Sequence, residues 1–198
     1  MPAPAADTSP PDDAPALTLA SLGDATAFAT LFHRHYPAIH AFAYRLALCA
    51  AAADDIAQET FVQAARSLST FRREASFKNW LYTIATNRAR DHLRQRARRN
   101  RLDAALAVLA PEPDPTTDSP ELESTSTAHA AVRSALARLS APQREAIALV
   151  YFENLNHADA ARILGCAETT VSWRVFRARQ HLKKHLSAPH HAATLRHV

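Results

Sequence analysis

Two runs of side chains carry most of the chemistry open to this chain, and both are basic. From Arg90 to Arg101 stand six arginines and His92 against one acid, Asp91. Guanidinium groups at this density suit phosphates, whereas a solvated helix end needs fewer cations. The second run is ETTVSWRVFRARQHLKKHL (168–186). On a helical wheel it places Thr169, Trp173, Phe176, Arg177 and Gln180 at roughly 140–240° from Val171. Arg177 and Gln180, one turn apart, match the edges of guanine and adenine, and Trp173 or Phe176 suits a thymine methyl. Arg174 and Arg179 flank that face at about 300° and 80°, where a duplex would bring its phosphates. An exposed Trp beside an exposed Phe asks for a partner surface; a contact between domains is the bland alternative.

Other chemistries find little footing. His33, His35 and His40, and the pair His181 and His185, form no HExxH pattern, and such histidines usually decorate helix surfaces. His190, His191 and His197 fall in a terminal tail expected to be solvated. Cys49 and Cys166 stand too far apart in sequence, and without partners, for a zinc ribbon or disulfide scaffold. Only Gly23 and Gly165 occur, so phosphate-cradling glycine loops are excluded. No catalytic residue, cofactor or metal is expected.

The elements that must position these side chains read as all-α: two helical domains joined by a flexible acidic linker, the second carrying a helix-turn-helix. The 198 residues are 47% hydrophobic and 21% charged, with twelve prolines against two glycines. No apolar run reaches the roughly 18 residues of a membrane span, and the N-terminus has no signal-peptide pattern, so a cytoplasmic protein without membrane insertion is expected. Charge is segregated along the chain. Residues 1–30 hold four acids and no Lys or Arg, 31–103 hold 13 bases and 6 acids, 104–128 hold five acids and no base, and 129–198 hold 10 bases and 4 acids. The predicted division is a disordered N-terminal tail (1–23), a helical domain (24–101), an acidic Pro-rich linker (102–128), a helix-turn-helix domain (129–185) and a C-terminal tail (186–198).

Within the first domain, Phe28, Leu31, Phe32, Tyr36, Ile39, Phe42 and Leu46 recur at helical spacing, with Pro37 predicted to interrupt or kink the segment. Asp54 and Asp55 suit a helix start. Ser76 suits the cap of a long helix whose apolar face is Phe77, Trp80, Leu81, Ile84 and Ala85. Asp55, Gln58 and Glu59 share one polar face fit for a basic helical partner. In the second domain Ser140 with Gln143 fits a capping box, Asn156 suits a cap, and Gly165 stands where a short helix would end. The longer helix beyond it, with Val171, Val175, Ala178 and Leu182 as its buried stripe, is the reading head.

DDIAQETF (54–61) and WLYTIATNRARDHLR (80–94), separated by FRREASFKN and preceded by FATLFHRHYPAIHAFAYRLA, resemble the second conserved region of bacterial RNA polymerase sigma factors. They are most similar to the extracytoplasmic-function (ECF) group. LSAPQREAIALVYFENLNHADAARILGCAETTVSWRVFRARQHL (139–182) is similar to the fourth region of the same factors. The resemblance implies a sigma factor that binds core RNA polymerase through its β′ and β subunits and directs promoter-specific initiation in an alternative (stress or envelope) response. It implies docking on β′ through Asp55, Gln58 and Glu59. It gives the minus-ten element to Arg72, Arg73, Asn87, Arg90 and Arg94. Thr169, Ser172, Trp173, Arg174, Phe176, Arg177 and Gln180 are then the candidate readers of the minus-thirty-five element. Promoter DNA and an anti-sigma factor are the further implied partners. Thr169 stands where glycine is frequent in the family, Asp159 where glutamate is, and Trp173 where a small or polar residue is common, which bears on the promoter sequence read. A stand-alone helix-turn-helix regulator would account for the second domain; the DDIAQETF–WLYTIATNRARDHLR pair argues against it.

Overall fold

The computed structural model describes residues 13–72, 75–109 and 127–186. Their regular structure is helical, as the composition predicts. The first group is α1 (Asp13–Ser21), α2 (Ala25–Ala47), α3 (Ala50–Ser67) and α4 (Phe77–Leu109). The second is α5 (Thr127–Ala137), α6 (Ala141–Ile147), α7 (His157–Leu164) and α8 (Glu168–Leu186). A 3-10 turn at Leu68–Thr70 follows α3, and a π turn at Ala148–Phe152 follows α6.

The first group is organised around α2, α3 and α4, which bury Leu31, Ile39, Phe42, Ile56, Phe61, Leu81 and Tyr82 together. Alanines at 43, 53, 57, 64 and 85 are fully buried between them and let the backbones approach closely. Asp24 starts α2 by accepting the N–H groups of Thr26 and Ala27 at 2.8 and 3.0 Å. Leu48, in the left-handed region at φ 59°, ends that helix, its N–H reaching Tyr44 O. Ser76 accepts the N–H of Asn79 at 3.2 Å, the expected cap of α4.

Several expectations are corrected. Residues 1–23 are not all tail, because Asp13–Ser21 form α1. Its Leu17 and Ala20 are buried, and its Asp13 carboxylate accepts from Arg34 Nη1 and His35 Nε2. Pro37 does not interrupt α2; it lies on the exposed side, and the buried row Leu31, Ile39, Phe42 and Leu46 outweighs the one backbone bond that proline removes. The acids at 54 and 55 do not start α3, which begins at Ala50 on a run of alanines, with Ala52 and Ala53 buried. Helix α4 crosses the expected boundary at 101 and ends at Leu109, because RLDAALAVL is mostly Ala, Leu and Arg, which are good helix formers. At the other end, α5 begins at Thr127, two residues before the expected domain boundary. The terminal segments 1–12 and 187–198 and linker residues 110–126 lie outside the described residues.

In the second group Gln143 Oε1 accepts the N–H of Ser140 at 3.2 Å, as half of the expected capping box. Arg144 is buried, which pushes its guanidinium below the ordinary range; its Nη1 donates to Leu136 O. The apolar row of α6 runs into the π turn, where the N–H of Glu153 bonds Ala148 O at 3.1 Å. The two groups share one apolar core: Ala146, Leu149, Ile163 and Leu164 pack in the same cluster as Phe42, Leu81 and Tyr82.

Two consequences are measurable. Leu81 is wholly buried where α4 meets α2 and α3, so Leu81→Ala should cost about 2–5 kcal/mol, whereas exposed Val62→Ala should stay within about 0.5 kcal/mol, by chemical denaturation. Burial, opposed by Asp13, holds His35 below its ordinary pKa of 6.5. The unfolded chain therefore binds the proton more readily. This contribution to stability is present above pH 6.5 and is lost as the pH falls through the lower folded value. Melting temperature should drop between pH 7 and pH 5, and His35→Gln should flatten that part of the profile.

Candidate nucleic-acid interface

Helix α7 opens on Asn156, whose Oδ1 accepts the N–H of Asp159 at 2.7 Å, and closes on Gly165 at φ 66°. That left-handed glycine turns the chain within three residues into α8, as a helix-turn-helix requires. Val171, Val175 and Ala178 are buried and Leu182 is half-buried, the predicted stripe. Thr169, Trp173, Phe176, Arg177 and Gln180 are all exposed on the far side, Trp173 by 59% and Phe176 by 57%. The Arg177 guanidinium lies 5.9 Å from the Trp173 ring centre, so the cation is steered along the exposed face.

The remaining candidates on α8 are partly engaged within the fold. Ser172 Oγ lies 2.8 Å from His157 Nδ1 and donates to Glu168 O, tying α8 to α7 rather than standing free. Arg174 is half-buried, with Nη1 3.8 Å from Cys166 Sγ. Arg179, on the other flank, sits over the Tyr151 ring.

On the first group, Asp55, Gln58 and Glu59 are exposed together on α3 and continue into exposed Val62. Arg72 and Asn87 are exposed, and Arg73 lies outside the described residues. Exposed Arg94 pairs with Asp91 at 3.2 Å. Phe77 is buried and packs edge-on against Phe71, while Trp80 lies 5.0 Å from Phe71; these rings form the floor beneath the loop that carries Arg72. Arg90 is the exception. Its Nε and Nη2 donate to the two carboxylate oxygens of Glu145 at 2.9 and 2.7 Å, and that bidentate bond holds the guanidinium above its usual range.

Sequence reasoning missed two features. A groove of about 560 Å³ between α3 and α4 is lined by Glu59, Val62, Arg66, Arg88 and His92 among others, and in it Arg88 Nε and His92 Nδ1 are buried without a hydrogen-bond partner. The second is a buried acid, Glu153, which accepts from Arg45 Nη1 at 2.9 Å and from the Tyr82 hydroxyl. Burial and then that acid push the Tyr82 phenol far up, so it remains a donor. The one local signal for Glu153 is an acid ending an apolar run, which is too common to single it out. Among the described residues, no cluster has the composition of a metal site and no helix is long and apolar enough to cross a membrane.

Comparison with known proteins meets this geometry at both ends. Residues 31–99 match the family described as Sigma-70 region 2, and residues 129–182 match Sigma-70, region 4. The ECF RNA polymerase sigma factor SigM of Mycobacterium tuberculosis is 35% identical over 174 residues, covering 87% of this chain and 83% of SigM. The RNA polymerase sigma-H factor of Pseudomonas aeruginosa is 33% identical over 180 residues, covering 83% of this chain and 88% of that protein. Among solved structures, the sigma factor RpoE of Bartonella quintana, in complex with the anti-sigma factor NepR, superposes with a TM-score of 0.65 at 30% identity, covering 82% of this chain and 98% of RpoE. Two such regions in this order define a transcription initiation factor. The chain belongs to the sigma-70 family and, within it, to the ECF RNA polymerase sigma factors.

Proposed function

We propose that the chain binds core RNA polymerase through the α3 face of Asp55, Gln58 and Glu59, and carries two DNA-reading surfaces to the promoter. The loop around Arg72 and Arg73, with Asn87, Arg90 and Arg94 of α4, takes the minus-ten element. The exposed face of α8 takes the minus-thirty-five element, with Thr169, Trp173, Phe176, Arg177 and Gln180 at the bases and Arg174 at the backbone; Ser172 acts by fixing α8 on α7. The folded groups that do this are α1–α4 and α5–α8. The factor serves an alternative response, stress or envelope, in the cytoplasm, under an anti-sigma factor, and itself catalyses no reaction. The observation that carries this reading is the exposed Trp173–Phe176–Arg177 face of a helix-turn-helix, in one chain with an exposed acid-bearing face on α3.

Two experiments test it. The chain should copurify with core polymerase and support runoff transcription from a cognate promoter. Charge reversal by Asp55→Lys with Glu59→Lys should weaken copurification while helicity by circular dichroism is kept; undiminished binding by a folded variant sinks the α3 assignment. For α8, Arg177→Ala should cost about 1–3 kcal/mol on the cognate minus-thirty-five duplex and relax preference at one base pair. Arg179→Ala should instead weaken all duplexes alike and lower the salt slope by about one. Binding to single-base variants at two salt concentrations separates the two patterns, and equal loss for every variant with Arg177→Ala means that the reading face is wrongly rotated.

A further inference from the structure

Among the described residues four buried side-chain atoms lack a hydrogen-bond partner, and two of them, Arg88 Nε and His92 Nδ1, line the groove between α3 and α4. Buried polar atoms are nearly always bonded, so two orphans in one groove point to a shared partner. Arg88 and His92 stand one turn apart on α4, close enough for both to meet a single group. A guanidinium N–H only donates, so whatever meets Arg88 must accept. From the other wall comes Arg66, in the last turn of α3. Arg88, Asp91 and His92 are half-buried and form the floor, whereas Glu59, Val62, Arg66 and Arg94 are exposed at the rim.

Charge decides the kind of acceptor. Among the described residues neither Arg66 nor Arg88 forms an ion pair. The one acid of the floor, Asp91, is matched by Arg94 at 3.2 Å. The groove therefore offers two uncommitted guanidiniums and an imidazole against a single rim carboxylate, Glu59. Guanidinium groups bind a tetrahedral oxyanion through paired N–H bonds, which suits phosphate better than any neutral acceptor. The volume of about 560 Å³ is more than one phosphate fills and falls within the usual range of about 300–1,000 Å³ for small-molecule sites. Val62 and the amide of Gln63 supply apolar and polar contact for an organic remainder. A nucleic-acid strand suits the groove less well, because exposed Asp55 and Glu59 on α3 would repel a polyanion running past it. We propose that the groove binds a small phosphate ester, its phosphoryl group held by Arg66, Arg88 and His92. This site lies on the side of α4 that faces α3, apart from the bonds that Arg90 makes with Glu145, and it does not depend on how the chain reads a promoter.

The test is calorimetric titration of the full chain, without polymerase or DNA, at fixed ionic strength in a phosphate-free buffer. The probes are inorganic phosphate, a nucleoside monophosphate and a short single-stranded oligodeoxynucleotide. The monophosphate should bind saturably at one equivalent per chain, and more tightly than inorganic phosphate. Arg88→Gln with His92→Gln should weaken it about tenfold or more, while Arg98→Gln with Arg99→Gln, on the exposed arginine run, should change it less than about twofold. In the chain without substitutions, the imidazole nitrogen resonances of His92 should move along the same titration curve, a measurement that holds even if the groove variant fails to fold. No saturable binding, or a static His92 signal, overturns the site. Loss with the surface pair but not with the groove pair overturns it too, because the anion then sits on the exposed arginines. Equal affinity for both small probes overturns the ester and leaves inorganic phosphate as the ligand. Binding of the oligodeoxynucleotide alone, lost with the groove pair, overturns the proposal in favour of a nucleic-acid backbone.

Discussion

The packing of α4 against α2 and α3 is the constraint on which the rest depends. Leu81, Tyr82, Ala85 and Ala89 bury one side of its first half, and this single seam orients everything the helix carries. It seats Phe77 and Trp80 beneath the loop of Arg72. It turns Asn87 outward, and it aims Arg90 and Tyr82 at the second group. Beyond His92 the packing thins, and the same rod projects its arginines into solvent. A helix of 33 residues, about 50 Å at 1.5 Å per residue, thereby links a packed core to a basic surface without a joint.

Small residues make that seam tight. The buried alanines of α2, α3 and α4 have no side-chain conformations to lose, and they bring the helix axes close enough for Phe42 and Tyr82 to meet edge-on at 4.9 Å. The same economy leaves one face of α3 free for acids. Asp55, Gln58 and Glu59 stand outward because Ala53, Ile56, Ala57 and Thr60 fill the inward positions. Core and candidate docking face are thus two sides of one helix.

Polar burial follows a different logic in the two groups. In the first, Asp13 is matched within its own group by Arg34 and His35, which fastens α1 on α2. In the second, Glu145 and Glu153 find their cations across the boundary between groups. The internal pair fixes α1 within its own group, whereas the pairs across the boundary hold one group against the other.

The sequence alone determined the faces. Val171, Val175 and Ala178 inside with Trp173, Phe176 and Arg177 outside follow from 3.6 residues per turn, as does the outward set on α3, because helical periodicity decides which residues share a side. Local stops and starts were also legible at Ser76, Asn156 and Gly165, since each satisfies backbone groups within a few residues of itself. What only the tertiary structure decided are the long pairings. Arg90 with Glu145, Tyr82 with Glu153 and Arg45 with Glu153 join residues 55, 71 and 108 positions apart. Helix α1 was likewise hidden, because a short segment with Pro15 in its first turn is held by contacts 21 and 22 residues away rather than by its own propensity. No periodicity encodes such contacts; they exist only once packed helices bring distant charges out of water together.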